Sequence, residues 1–161
     1  CERRENKVST TEWALSAAAR FAEQERVKSQ QWARALQRHQ IITAQASRFW
    51  DEIRQALHAQ VDTFNEQVGK QVLVAPMNGE DKLAVYAQAE TGPRTLTAEF
   101  EPRIPSIRCS ARTEQGSVDF EARFPIELEA AGNKLIALAS ELECSAEEVA
   151  ARMLNGLMGW K

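Results

Sequence analysis

The sequence predicts an α+β fold: a long N-terminal α-helix, an antiparallel β-meander of five to six strands and a C-terminal α-helix, with both helices packed on one face of the sheet. Two observations predict this fold. All seven glycines and all five prolines lie at or after Gly69, so the first 68 residues contain no strong helix breaker. After Gly69, short segments alternate between apolar and polar residues. We therefore divide the chain into a helical extension, residues 1–41, and a single α+β domain, residues 42–161.

The long helix is predicted to begin just after Ser9, because Ser9 and Glu12 have the spacing of a capping box. It is predicted to end at Gly69, since glycine accepts the positive φ found just past a helix C-terminus. From residue 42 onward, apolar residues recur at spacings of three and four and form a stripe about 100° wide, which we expect to pack on the sheet. The stripe consists of Ile42, Ala46, Trp50, Ile53, Leu57, Val61, Phe64 and Val68.

Before residue 42 the apolar stripe is interrupted. Between Glu23 and Gln31 only Val27 is apolar. The residues before Gly69 therefore form either one continuous helix of nearly 60 residues or two helices with a break in 23–31. The absence of glycine and proline favours one helix. Several large apolar side chains here lack an evident local partner, and they either contact another molecule or fold back on the domain. The four that we select as interaction residues are Trp13, Phe21, Trp32 and Leu36.

Period-two alternation predicts five strands after Gly69, separated by turn-rich clusters. These strands are 71–75, 82–89, 95–101, 107–112 and 118–129. Their apolar residues share one face, and charged residues occupy the other, which is typical of an antiparallel sheet with one face in water.

Residues 130–144 fit two structures. A turn at 131–133 could lead into a strand over Lys134–Ala139, but the leucine spacing also fits a helical face. We favour the hairpin, because Ser145 and Glu148 form a new capping box directly afterwards. That capping box begins the C-terminal helix, at about residues 145–158.

Composition and charge exclude several classes of protein. With 43% hydrophobic and 27% charged residues, the chain resembles neither a disordered nor a membrane protein. The formal net charge is −3, divided as +1 over residues 1–68 and −4 over 69–161, so neither half has the basic excess that nucleic-acid binding needs. No window approaches the roughly 20 apolar residues of a transmembrane segment. We expect a cytoplasmic protein whose partner is another protein or a second copy.

A different location follows if Cys1 is a processed N-terminus. A cysteine followed by a charged, polar stretch is what a bacterial lipoprotein shows after removal of its signal peptide. A lipid-anchored protein of the bacterial cell envelope is therefore an alternative.

The residues suited to catalysis are few and scattered. His39 and His58 lie nineteen residues apart, roughly 30 Å along a continuous helix, so they cannot share a metal ion. In the alternating pattern of its predicted strand, Cys109 falls on the buried face, and Cys144 is expected to pack near a helix start. The sequence motifs that bind phosphate, zinc or calcium are absent. We therefore predict no catalytic residues, no metal site and no cofactor.

Three arginines of the predicted sheet, Arg108, Arg112 and Arg123, form a weak candidate anion site if their strands are neighbours. The alternative is a set of cross-strand ion pairs, because acidic residues alternate with these arginines along the strands. The acidic residues in question are Glu99, Asp119 and Glu121.

These observations favour a non-enzymatic protein-interaction or assembly module that uses its extended N-terminal helix for self-association or partner docking. The alternative from another class is a small-ligand binding protein with an apolar cavity between sheet and helices. Trp50, Phe100 and Phe120 would line such a cavity.

Overall fold

The computed structural model describes residues 9–76, 79–130, 132 and 134–160. The N-terminal element is one uninterrupted helix, α1, Thr10–Val68, without a break in 23–31. By its internal contacts the chain divides after Gln40. We call residues 10–40 the helical segment, and the unit that begins at Ile41 the α+β unit.

Both ends of α1 have the predicted local structure. Ser9 and Glu12 form a reciprocal capping box, in which the Glu12 backbone N–H donates to Ser9 Oγ at 3.1 Å and the Ser9 N–H donates to Glu12 Oε2 at 3.2 Å. At the other end, Gly69 has a φ of +81° and its N–H donates to the carbonyl of Asn65. This positive φ ends the helix because a Cβ would be strained there.

Among the residues described, the α+β unit contains a seven-stranded antiparallel sheet in which every strand pairs with its neighbours in sequence, from β1 to β7. The strands are β1 Leu73–Val74, β2 Lys82–Ala89, β3 Gly92–Glu101, β4 Ser106–Arg112, β5 Val118–Leu128, β6 Leu135–Ala139 and β7 Leu142–Cys144. The α+β class and the meander are confirmed, and the sheet has one strand more than the five to six predicted.

The segment around 130–144 is a hairpin, not a helix. Strand β6 pairs with the end of β5, and β7 pairs back onto β6 with Ala139 opposite Leu142. The connecting turn places Ser140 and Glu141 at positive φ, 49° and 71°. The predicted turn at 131–133 includes Ala131 and Asn133, which lie outside the described residues.

The core lies between the sheet and two helices. On α1 the buried residues begin at Ile42, and the Trp50 indole stacks on the Phe100 ring of β3 with centroids 5.9 Å apart. The Trp50 Nε1–H also donates to the Glu80 carbonyl at 2.7 Å. Helix α2, Ala146–Met158, is joined to α1 by Gln60, whose side-chain amide donates to the Glu147 carbonyl.

Helix α2 has both caps expected from its sequence. Ser145 is the N-cap, and its Oγ accepts from the Glu148 N–H. Gly159 is left-handed, with a φ of 72°, and the Trp160 N–H reaches back to the Asn155 carbonyl, which closes the C-terminus as a Schellman motif does.

Candidate interaction surface

The helical segment carries large apolar side chains that face water. Trp13 is 66% exposed, Phe21 64%, Trp32 72% and Leu36 46%. At about 100° per residue these four side chains lie within about 80° of one direction on the helix. We call them the exposed stripe. Leu15 and Val27 are exposed as well, but they point about 120° away from that direction.

This exposure contrasts with residues 42–61 of the same helix, where every large apolar residue of the pattern is buried. Phe49 and Trp50 are at most 4% exposed, and Ile53 is fully buried. Exposed apolar residues are common singly, but two tryptophans and a phenylalanine on one side of a helix are typical of a contact surface.

Local charge pairs help the helical segment to remain helical. Arg26 donates to both carboxylate oxygens of Glu23, at 2.6 and 3.0 Å, and Lys28 lies 3.8 Å from Glu25. The hydrogen bond from Arg26 lowers the pKa of the Glu23 carboxyl below its ordinary value. Because these pairs are exposed to solvent, which screens their charges, each adds little to helix stability.

Two of the three candidate arginines lie together on the polar face of the sheet. Arg108 and Arg123 are opposite each other in the β4–β5 register, whereas Arg112 lies opposite Thr95, near the other end of β4. Both of the paired guanidinium groups contact Glu101, at 2.7 Å from Arg108 and 3.5 Å from Arg123. Cross-strand ion pairs therefore occupy this cluster.

The acidic partners of that cluster differ in part from those expected. Glu99 contacts Arg108 at 4.0 Å, but Asp119 pairs elsewhere and Glu101 contributes the closest contact. A concavity of about 860 Å³ lies on this polar face, with Thr97 and Ser110 among the residues that line it. Anion binding by these arginines stays a prediction.

A buried arginine on β3 contacts the C-terminal end of α2, and its role was not predicted from the sequence. Arg94, on β3, is 7% exposed and forms a bidentate ion pair with Asp119, with both N···O distances 2.6 Å. Its Nε donates to the Leu157 carbonyl and its Nη2 to the Gly156 carbonyl. The guanidinium thus satisfies C-terminal carbonyls of α2 and places a positive charge at the negative end of its dipole.

The alternation of buried and exposed residues along β3 could have indicated that Arg94 is buried. It shares the buried face of β3 with Leu96, Ala98 and Phe100, each two residues from the next. The predicted strand begins at residue 95, because Gly92 and Pro93 favour a turn that includes Arg94.

The three aromatic residues predicted for a ligand cavity are packed against their neighbours. Trp50 and Phe100 stack on each other, and Phe120 lies against Gly156 of α2 so closely that a Cβ there would fall 2.4 Å from the ring. The space between α1 and the sheet at Trp50 is therefore filled by side chains.

The remaining candidates for chemistry are isolated. Among the residues that the structure describes, no group of three or more His, Cys, Asp or Glu side chains is placed to hold a metal ion. Burial raises the pKa of the Cys109 thiol to about 12, so it remains protonated at neutral pH. Cys144 is also buried, and Cys1 lies outside the described residues.

Within the same described residues, none of the helices combines the length and the apolar character needed to cross a bilayer. Comparison of the chain with protein-family models, with curated proteins and with solved structures gives no match.

Proposed function

We propose that the chain is a non-enzymatic interaction or assembly module in which the exposed stripe of the helical segment binds a protein surface. The observation that carries this proposal is the exposure of Trp13, Phe21, Trp32 and Leu36 in a helix whose large apolar residues from Ile42 to Val61 are all buried. Burying a large apolar side chain contributes about 25 cal/mol per Å² of apolar area removed from water, so the three aromatic residues and the leucine of the stripe can supply the energy of a specific contact.

A photo-cross-linking experiment tests the surface directly, whichever protein it binds. The full chain is expressed in the cells that make it, with p-benzoylphenylalanine in place of Trp32 or, as a matched control, in place of Leu15. Both positions are about 70% exposed, but only Trp32 belongs to the stripe. We expect discrete adducts from position 32 and none from position 15. Equal labelling at both positions, or no adduct at position 32, would contradict the proposal.

A stability measurement separates intermolecular contact from fold-back on the same chain. Replacing all four stripe residues by alanine removes side chains that face water and keeps helix propensity high. We expect the free energy of unfolding of the monomer to change by no more than about 0.5 kcal/mol per site. A loss of several kcal/mol would mean that the stripe packs within its own chain, and the proposal would then fail.

A further inference from the structure

The exposed stripe has two apolar groups separated by a polar centre. Trp13 and Phe21 form the first group, Trp32 and Leu36 the second, and between them the same side of the helix carries Gln24, Lys28 and Gln31. Trp13 and Leu36 are equally far from the point between Gln24 and Glu25, about twelve residues in each direction.

The net charge of the helical segment changes sign at the same point. Residues 10–25 contain Glu12, Glu23 and Glu25 against one arginine, for a net charge of −2. Residues 26–40 contain four basic residues and no Asp or Glu, for +4. The basic residues of the second half are Arg26, Lys28, Arg34 and Arg38. The helical segment is therefore acidic in its first half and basic in its second.

These two observations select a direction for pairing. In a parallel pair, each basic half would lie beside the other basic half, and the four positive charges on each chain would repel those on the other. In an antiparallel pair, the acidic half of one chain lies beside the basic half of the other. Exposed charge pairs contribute little free energy because solvent screens them, so charge sets the orientation while the apolar residues supply most of the association energy.

Side-chain sizes fit the same arrangement. When the two chains are centred between Gln24 and Glu25, Trp32 of one chain lies level with Ala17 of the other, so a large side chain meets a small one. In the same register the two copies of Gln24 adjoin at the centre, and Lys28 of one chain lies level with Phe21 of the other. The aliphatic stem of this lysine can cover the ring while its ammonium group stays in water.

We infer that the helical segment binds a second copy of itself, with residues 10–40 of the two chains antiparallel and centred between Gln24 and Glu25. This inference rests on the proposed function, because it names the occupant of the same exposed stripe. A two-fold axis relates the chains, as in most homodimers.

Cysteine cross-linking of the full chain tests the orientation. Single cysteines are introduced at Ala17, Gln24 or Ala35 with Cys1 replaced by serine, and a short bis-maleimide linker is added; Cys109 and Cys144 are buried. In the antiparallel pair, copies of position 24 adjoin, whereas copies of position 17 are separated by about 20 Å along the axis and copies of position 35 by about 30 Å. We expect Gln24→Cys to couple with itself, and Ala17→Cys to couple only when mixed with Ala35→Cys.

A matched control is Ala33→Cys, which points about 120° away from the stripe and is expected to couple with none of them. Self-coupling of Ala17→Cys and Ala35→Cys would show parallel chains and overturn the inference while leaving the proposed function intact. A chain that is monomeric by light scattering, yet gives adducts with another protein from position 32, would overturn the second-copy assignment alone. Absence of adducts at position 32 would instead remove the proposed function itself.

Discussion

Replacing Gly156 by alanine should destabilise the α+β unit, although the same change in most helices is stabilising. Alanine has the higher helix propensity, worth about 0.5–1 kcal/mol in a helix interior. At Gly156, however, the added Cβ would lie 2.4 Å from Cδ1 and Cε1 of Phe120 and 2.6 Å from Cγ. The absence of a side chain at Gly156 thus lets α2 lie close to the Phe120 ring of β5.

The size of the effect follows from these distances. Carbon atoms in contact prefer separations of about 3.5–4.0 Å, so the helix or the ring must move by about 1 Å or more. Overpacking of this kind costs about 1–3 kcal/mol. After the gain in helix propensity is subtracted, we expect a net loss of up to about 2.5 kcal/mol for Gly156→Ala. In a chain of this length, that loss lowers Tm by up to about 10 °C.

Urea unfolding followed by circular dichroism measures the change, and a double-mutant cycle isolates its cause. In a Phe120→Ala background the ring is absent, so Gly156→Ala should stabilise the protein by about 0.5–1 kcal/mol. Stabilisation by Gly156→Ala in the presence of Phe120 would refute the argument from close packing. An equal loss in both backgrounds would also refute it, because the ring would then not be responsible.

Three further predictions concern buried or paired groups. The Arg94 guanidinium lowers the pKa of Asp119, so the carboxylate stabilises the fold above its unfolded pKa and this contribution is lost as pH falls through the lowered folded value. The difference in urea midpoint between the wild type and Asp119→Asn should therefore shrink on acidification, and a constant difference would contradict this. Asn65 donates to the Leu73 carbonyl and accepts from two backbone N–H groups at 3.0 Å, so Asn65→Ala should cost about 1–3 kcal/mol in urea unfolding, against little change for the neighbouring exposed Glu66→Ala. Because the pKa of Cys109 is about 12 and its thiol is buried, iodoacetamide at pH 8 should modify it only in urea; rapid modification of the native chain would be inconsistent with this burial.

Much of the fold could be predicted because its signals are local. Ser9 with Glu12 and the single break at Gly69 define the ends of α1, and the period-two pattern identifies the buried face of each long strand. A capping box, a positive-φ glycine and alternation each depend on residues within one turn or one strand. The hairpin at 130–144 followed from the same kind of signal, the capping box at Ser145.

The additional strand had no such signal. Strand β7 is three residues long, and the turn before it places Ser140 and Glu141 at positive φ, where glycine or asparagine would ordinarily mark the turn. Strand β3 likewise starts three residues earlier than predicted, at Gly92, and includes Pro93. The proline is tolerated because the β3–β4 pairing begins only at Thr95, so no neighbouring strand requires its missing N–H there.

Among the residues of functional interest, some could likewise be predicted from local sequence signals and others could not. The exposed stripe could be predicted because the apolar pattern degrades before residue 42 while Trp13, Phe21 and Trp32 remain. The role of Arg94 could not, because its partners Asp119, Gly156 and Leu157 lie 25 to 63 residues away in sequence. Contacts at that separation depend on the strand register and on the position of α2, which composition and periodicity do not determine.

The order of the elements also has a consequence for synthesis on the ribosome. Trp50 is made early, in α1, but the ring that covers it, Phe100 of β3, follows fifty residues later. At about 5–20 residues per second, that delay is on the order of 3–10 s. During this interval the buried stripe of α1, from Ile42 to Val61, has no sheet to pack on. Because each strand then pairs with the one made just before it, the sheet can grow along the nascent chain, and α2, the last element, completes the core.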